Sequence, residues 1–204
     1  MANIDKIVKK NKKLKTGEVL TNNRFKTPIF RLSYPHLEKP SDYDPDNPKY
    51  GLTMLFDADT VSLKSFKKLV QLVAKEKWGA KIPKKLQLPF RDGEEKEDTD
   101  GYGEGIIFCS ARSTDAPGVC DLQFAPTEVK AGDYCRATFN VFAFENRKKG
   151  VALGLQNVQL ICEGEAFGAE RPDAEDDFDD LDIDEDDLDS DDDDDDAEDG
   201  DFGL

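Results

Sequence analysis

The side chains best suited to chemistry lie on one run, Asp133–Glu145 (DYCRATFNVFAFE). Successive residues of a strand point to opposite faces, so Cys135, Ala137, Phe139, Val141 and Ala143 share one side. Tyr134, Arg136, Thr138, Asn140, Phe142 and Phe144 share the other. The first set is uniformly apolar and belongs in a core. The second sets three rings beside an arginine and two small polar groups, an unusual make-up for a plain solvated face. Rings on an open sheet offer stacking platforms worth about 1–3 kcal/mol per base, and neighbouring cations track phosphates. This chemistry fits single-stranded nucleic acid. The other reading buries both faces, since central strands often carry aromatics.

Basic residues gather close by in sequence. Arg147, Lys148 and Lys149 crowd the link after this strand, and Lys81, Lys84 and Lys85 follow a helix. A lysine run alone marks a solvated surface. Beside the rings, these residues become candidates for phosphate contacts.

Catalytic arrangements are poorly supplied. The chain has neither a G-x-x-x-x-G-K-[ST] loop nor a G-x-S-x-G elbow, and its single histidine is His36. The carboxylate pairs Asp98/Asp100 and Asp121/Glu128 could hold magnesium, but the first sits in a Gly-rich loop, a poor place for a preorganised site. Cys109, Cys120, Cys135 and Cys162 show no C-x-x-C spacing, which argues against structural zinc. They read as reduced thiols acting as small hydrophobes. Asp182, Asp184 and Asp186 alternate as in a calcium loop, yet Asp187 occupies the position of the turn glycine. No enzyme activity, cofactor or metal is expected.

Charge divides the chain of 204 residues. Of its 45 acidic residues, 21 fall in the last 32, Asp173–Leu204, which contain no lysine or arginine. The first 172 residues keep 24 acids against all 28 bases, a formal charge of +4 within a total of −17. We therefore expect three parts: a basic arm over 1–20, too polar to pack deeply, a nucleic-acid-binding domain over 21–172, and a disordered acidic tail over 173–204. The tail is punctuated by Phe178, Leu181, Ile183, Leu188, Phe202 and Leu204. An acidic linker with a short apolar tip can steer to a basic partner and seat the tip in a pocket. Asp199, Asp201, Phe202 and Leu204 are the expected docking residues; a purely solubilising tail is the alternative. No apolar run approaches the length of a membrane helix and the basic N-terminus lacks an apolar stretch, so neither a membrane span nor a secretory signal is expected.

The elements that position these groups are legible in outline. RFKTPIFRLSYPHL reads as a strand with Phe30, Leu32 and Tyr34 on one side and Arg31 and Ser33 on the other, followed by a loop at 41–48. Lys49–Phe56 is a second strand. The Asp57–Thr60 cluster reads as the cap of a helix over Val61–Trp78, with Leu63, Phe66, Val70 and Val73 on its buried stripe and Gly79 as its stop. The segment 81–105 reads as loop. Strands then follow at 105–112, 119–124, 133–145 and 150–162, the last two joined as a hairpin. About six strands and one helix point to a mainly β domain, a small barrel or sandwich carrying one long α-helix.

Three segments together resemble bacteriophage single-stranded DNA-binding proteins: RLSYPHL (31–37), GDYCRATFNVFAFENRKKGVALGLQNVQL (132–160) and the acidic tail. The resemblance implies an OB-fold-like barrel, sequence-independent coating of single-stranded DNA, and roles in DNA replication, recombination and repair. By position it places Tyr134, Arg136, Phe142 and Phe144 on the strand of the binding groove; with Arg31, Asn140, Arg147, Lys148, Lys149, Lys84 and Lys85 they are the residues expected at the DNA. It implies a tail that recruits replication proteins such as a polymerase or helicase, a location in the host bacterial cytoplasm, and is compatible with a homodimer. The competing functional reading is an acidic nucleic-acid mimic or chaperone that occupies basic surfaces of partners. Two departures from the family stand out. The helix comes after only two strands, and the tail ends Asp201-Phe202-Gly203-Leu204 without a terminal aromatic.

Overall fold

The computed structural model describes residues 4–20 and 23–168. A short helix α1 (Ile4–Lys10) leads through strands β1 (Glu18–Val19) and β2 (Arg24–Lys26) to the long strands β3 (Phe30–Ser41) and β4 (Lys49–Asp57). Helix α2 (Lys64–Trp78) follows, then β5 (Arg91–Asp92), β6 (Ile106–Ser113), β7 (Gly118–Cys120), β8 (Tyr134–Glu145) and β9 (Lys149–Cys162). The domain is mainly β, as its alternation implies.

Five strands close on themselves. β3 pairs antiparallel with β4, β4 with β6, and β8 with both β3 and β9. The ring is completed by a parallel contact between β6 and β9 at Arg112 and Gly154. Order β3-β4-β6-β9-β8 with one parallel closure is an OB-fold-like barrel. The small strands decorate it: β1 and β2 extend β8, β5 pairs with β6, and β7 pairs with β9.

The apolar face of β8 lines the interior. Cys135, Ala137, Phe139 and Val141 are all buried, and Ala143 is half-buried at the end of the face. Phe139 meets Phe25 of β2 and Phe66 of α2, with ring centroids 5.7 and 5.0 Å apart. Phe66 also stacks on Phe25 at 4.9 Å, so the buried stripe Phe66, Leu69, Val70 and Val73 joins α2 to the barrel core.

Several expectations need correction. The Asp57–Thr60 cluster does not cap the helix. Asp57 accepts from the amides of Asp59 and Thr60 and from the Thr60 hydroxyl, closing its own turn, and α2 begins three residues later than expected, without a side-chain cap. Its end at Gly79 is as expected, with a left-handed φ of 59° that glycine tolerates. The segment 81–105 is not all loop. Asp92 and Glu95 form a reciprocal capping box around a 3-10 turn at Gly93–Lys96, after the two-residue β5. The expected strand at 119–124 stops at Cys120, because the Asp121 carboxylate accepts from the amides of Gln123 and Ala125 and turns the chain. The N-terminal arm is anchored: Val8 and Leu14 are buried, and Leu14 accepts from the Ile29 amide.

Candidate nucleic-acid interface

Two concavities on the outside of the barrel, about 630 and 770 Å³, share Lys49, Ser110 and Arg112 and so form one groove. The first half crosses β3, β4 and β6, lined by Tyr34, His36, Tyr43, Thr53, Arg91 and Lys96. The second crosses β6, β9 and β8, with Asn140, Phe142 and Gly154 in its wall. Thr53 and Ser110 share a hydroxyl hydrogen bond of 2.9 Å across β4 and β6, giving the groove a polar floor. Lys49, Arg91, Lys96 and Arg112 face two lining carboxylates, Asp44 and Asp115, so cations prevail.

Cations and rings interlock at the first end. The Lys96 ammonium lies 5.0 Å from the Tyr34 ring centroid, 5.3 Å from Tyr102 and 5.8 Å from Phe108. Arg91 covers the Phe108 ring at 4.9 Å while its Nε donates to Glu95 at 3.0 Å. That bond holds the Glu95 carboxyl below its ordinary pKa. Burial raises the Tyr102 phenol, against an opposing hydrogen bond with Ser33.

Tyr34 stands here because of a local irregularity. Ser33 pairs with Thr53 and His36 with Gly51, so β3 carries one residue more than β4 between them. The bulge gives Tyr34 a φ of 47° and turns it out to 49 % exposure, while Ser33 is buried. The alternation read from the sequence put Tyr34 on the face of Phe30 and Leu32, and the bulge takes it off that face; Ser33 stays opposite Thr53, covered by Tyr102. A left-handed tyrosine persists only where its surroundings over-determine it, a condition common at binding sites.

The residues singled out from the sequence fall into four places. Asn140 and Phe142, the latter 46 % exposed, lie in the groove. Arg136 lies farther along the outer face of β8, its Nε donating to Gln159 Oε1 at 2.8 Å. Arg31 and Tyr134 sit together elsewhere: Arg31 donates to the carbonyls of Gly132 and Glu165 at 3.1 and 2.6 Å and covers Phe167 at 4.2 Å. Phe144 packs toward Gly150 just below the tip of the β8–β9 hairpin. Arg147, Lys148 and Lys149 are exposed at its tip, where Lys149 pairs with Glu145. Gln87 bonds the backbone of Lys149 and Val151, which brings the exposed Lys84 and Lys85 toward that tip. Asp199, Asp201, Phe202 and Leu204 lie outside the described residues.

Sequence reasoning did not assign Tyr34, Tyr43, Lys49, Arg91, Lys96 or Arg112 to a site. They come from four separated stretches of chain, and strand pairing alone brings them to one surface. Among the described residues no three His, Cys, Asp or Glu side chains gather to hold a metal, and no helix is long and apolar enough to cross a membrane.

A profile described as "Enterobacter phage Enc34, ssDNA-binding protein" matches residues 17–189. A putative protein p50 of Acyrthosiphon pisum secondary endosymbiont phage 1 is 30 % identical over 169 residues, 75 % of this chain and 91 % of that one. The single-stranded DNA-binding protein of bacteriophage Enc34 in complex with ssDNA superposes with a TM-score of 0.65 at 28 % identity, over 76 % of this chain and 94 % of the other. The single-stranded DNA-binding protein gp2.5 of bacteriophage T7 shares the fold, with a TM-score of 0.57 at 15 % identity over 72 % and 90 % of the two chains. With the profile spanning most of the sequence, the chain belongs to the phage single-stranded DNA-binding protein family typified by that of Enc34, a family of binding proteins and not of enzymes.

Proposed function

We propose that this protein binds single-stranded DNA without sequence preference, in the groove across β4, β6, β9 and β8. The observation that carries this reading is that Tyr34 of β3, Tyr43 after it and Phe142 of β8, together with the cations Lys49 and Arg112, surround the outer face of β4 and β6. These are the second and third strands of the closed ring, the face on which OB barrels hold oligonucleotides. Exposed Tyr34, Tyr43 and Phe142 offer flat surfaces to bases, while Lys49, Arg91, Lys96 and Arg112 face the phosphates. Nothing in that scheme reads base edges, so affinity is sequence-tolerant. The likeness to a relative described in complex with ssDNA supports it.

The reading extends to phage DNA replication, recombination and repair in the host bacterial cytoplasm. The acidic tail, through Asp199, Asp201, Phe202 and Leu204, recruits a replication protein such as a polymerase or helicase. Its support is composition: 21 acids punctuated by apolar residues suit a basic partner with an apolar pocket. Gel shifts with single-stranded DNA, duplex DNA and RNA of equal length test the binding. Tight, sequence-indifferent retardation of single-stranded DNA is expected; none, with residues 1–172 as with the full chain, overturns the reading and leaves the nucleic-acid mimic.

A further inference from the structure

Beyond the groove, the outer face of β8 and β9 continues into a third concavity of about 430 Å³. The step between them is one strand repeat: Asn140, paired with Gly154, belongs to the groove, and Thr138, paired with Asn157, to the concavity. Arg136 and Lys26, the latter paired with Glu18 at 2.7 Å, flank this second surface, and Asn157 donates to the Thr138 hydroxyl at 3.3 Å across its floor. Its far wall is Phe124, 79 % exposed.

Phe124 is held in an uncommon way. Its φ is 65°, left-handed, a conformation that disfavours a bulky side chain. The turn around it is firmly built: the Asp121 amide donates to Ala125 O at 2.9 Å, and the Asp121 carboxylate accepts from Ala125 N at 2.9 Å. Gln159, which also receives the Arg136 guanidinium, donates to Asp121 O at 2.9 Å and ties the turn to β9. A glycine would adopt this backbone without steric strain, yet the position carries a large ring in the open. Among the described residues three non-glycines have positive φ, and two of them are the exposed aromatics Tyr34 and Phe124. One lies in the first half of the groove, and the other beyond its second half.

We propose that the path for single-stranded DNA runs past Phe142, over Thr138 and Arg136, and ends at Phe124, whose strained turn presents its ring as the terminal base-stacking platform. This rests on the binding reading above. Continuity of the surface with the groove and the Arg136 guanidinium beside Thr138 and Asn157 favour a nucleic acid there over an apolar protein segment, although Lys26 is paired with Glu18 at 2.7 Å and the rest of the lining is largely apolar. A second copy of the chain seated on Phe124 is the competing occupant.

The test is a length series of oligothymidylates, from about 4 to about 16 nucleotides, the range of site sizes for one OB fold. The full chain is compared with Phe124→Ala and Phe124→Gly. Both variants should bind the shortest oligomers as the parent does and lose roughly 5- to 150-fold on the longest, the loss of one stacked base. Phe124→Gly should also melt no lower than the parent, since glycine accepts the left-handed φ. In Phe124→Trp, indole fluorescence should be quenched by long oligomers and left unchanged by short ones. Equal affinity of parent and variants at every length, or indole emission in Phe124→Trp that stays unquenched with long oligomers bound, overturns the proposal. A change in protein mass by sedimentation without DNA, with affinities unaltered, assigns Phe124 to contact between copies and also overturns it. Failure of the parent to bind any length sinks instead the binding reading on which it rests.

Discussion

Arg112 of β6 stands opposite Gly154 of β9 at the one parallel contact that closes the barrel. Both line the groove, Arg112 where its halves meet and Gly154 in the second half, and the bare glycine leaves the Phe142 ring and Asn140 uncovered there: a Cβ at 154 would lie 3.5 Å from Phe142 Cε1. That spacing is ordinary van der Waals contact, so the glycine is not required by packing. Gly154→Ala should fold and bind like the parent. Gly154→Leu should fold yet obstruct the groove, with a loss of about 1–3 kcal/mol if it displaces one stacked base. Fluorescence titration with oligothymidylate and a parallel thermal melt check both halves.

Rings and cations should separate by salt. Tyr34→Ala and Phe142→Ala remove exposed rings, so each should weaken single-strand binding by about 1–3 kcal/mol at both low and high salt, without shifting the unfolding midpoint far. Affinity unchanged in both variants would remove the stacking assignment.

Arg112→Ala and Lys96→Ala should instead flatten the salt dependence. Each neutralised phosphate contributes a slope of about −0.7 on single strands, so each variant should lose about that much from log K against log salt. Lys96 also bridges three rings, and its loss should be the larger at low salt. Titrations at several sodium chloride concentrations give the slopes directly.

The thiols should divide into two classes. All four cysteines are free; Cys109 and Cys135 are buried, and burial pushes both thiols far above their ordinary pKa. Because the thiolate is the reactive form, both should resist alkylation of the native protein at pH 8 and label only on unfolding. Cys162 is half-buried and raised in the same direction, so it should label slowly, faster as pH rises. Mass spectrometry of iodoacetamide-treated protein, native and in urea, reads out the order.

The tail should compete for the groove. It tethers 21 acids to a body of formal charge +4, and a linker of this length keeps local concentration near the millimolar range. Truncation after Pro172 should tighten single-strand binding most at low ionic strength, with the gain shrinking as salt screens it. Equal affinity of the two forms at low salt would leave the tail a solubiliser or a constitutive docking arm.

How far the sequence could be read follows from where its patterns were interrupted. The interior face of β8 was plain because five alternating positions, Cys135 to Ala143, run without a break. Tyr34 was assigned to the wrong side because one extra residue between Ser33 and His36 inverts the phase, and a bulge has no signature in alternation alone. The Asp57 cluster resembled a cap because the same side-chain acceptor that starts a helix also closes a turn. Val8 and Leu14 were hidden among lysines: two apolar residues suffice to anchor an arm whose composition is basic. Asn140 and Phe142 could be singled out from the sequence because they lie on a single strand, whereas the groove's Lys49, Arg91, Lys96 and Arg112 meet only through pairings between distant segments.

The closed ring of strands has a consequence for crowding. An open sheet ends in unpaired amides and carbonyls that can template growth onto another molecule. Here, among the described residues, the path of paired strands ends in β1, two residues long, and β7, three residues long, and the chain folds back beside β7 to pair Cys120 with Pro126. On the proposed function, copies bound side by side on one strand of DNA would therefore meet without these two ends offering a long strand to extend.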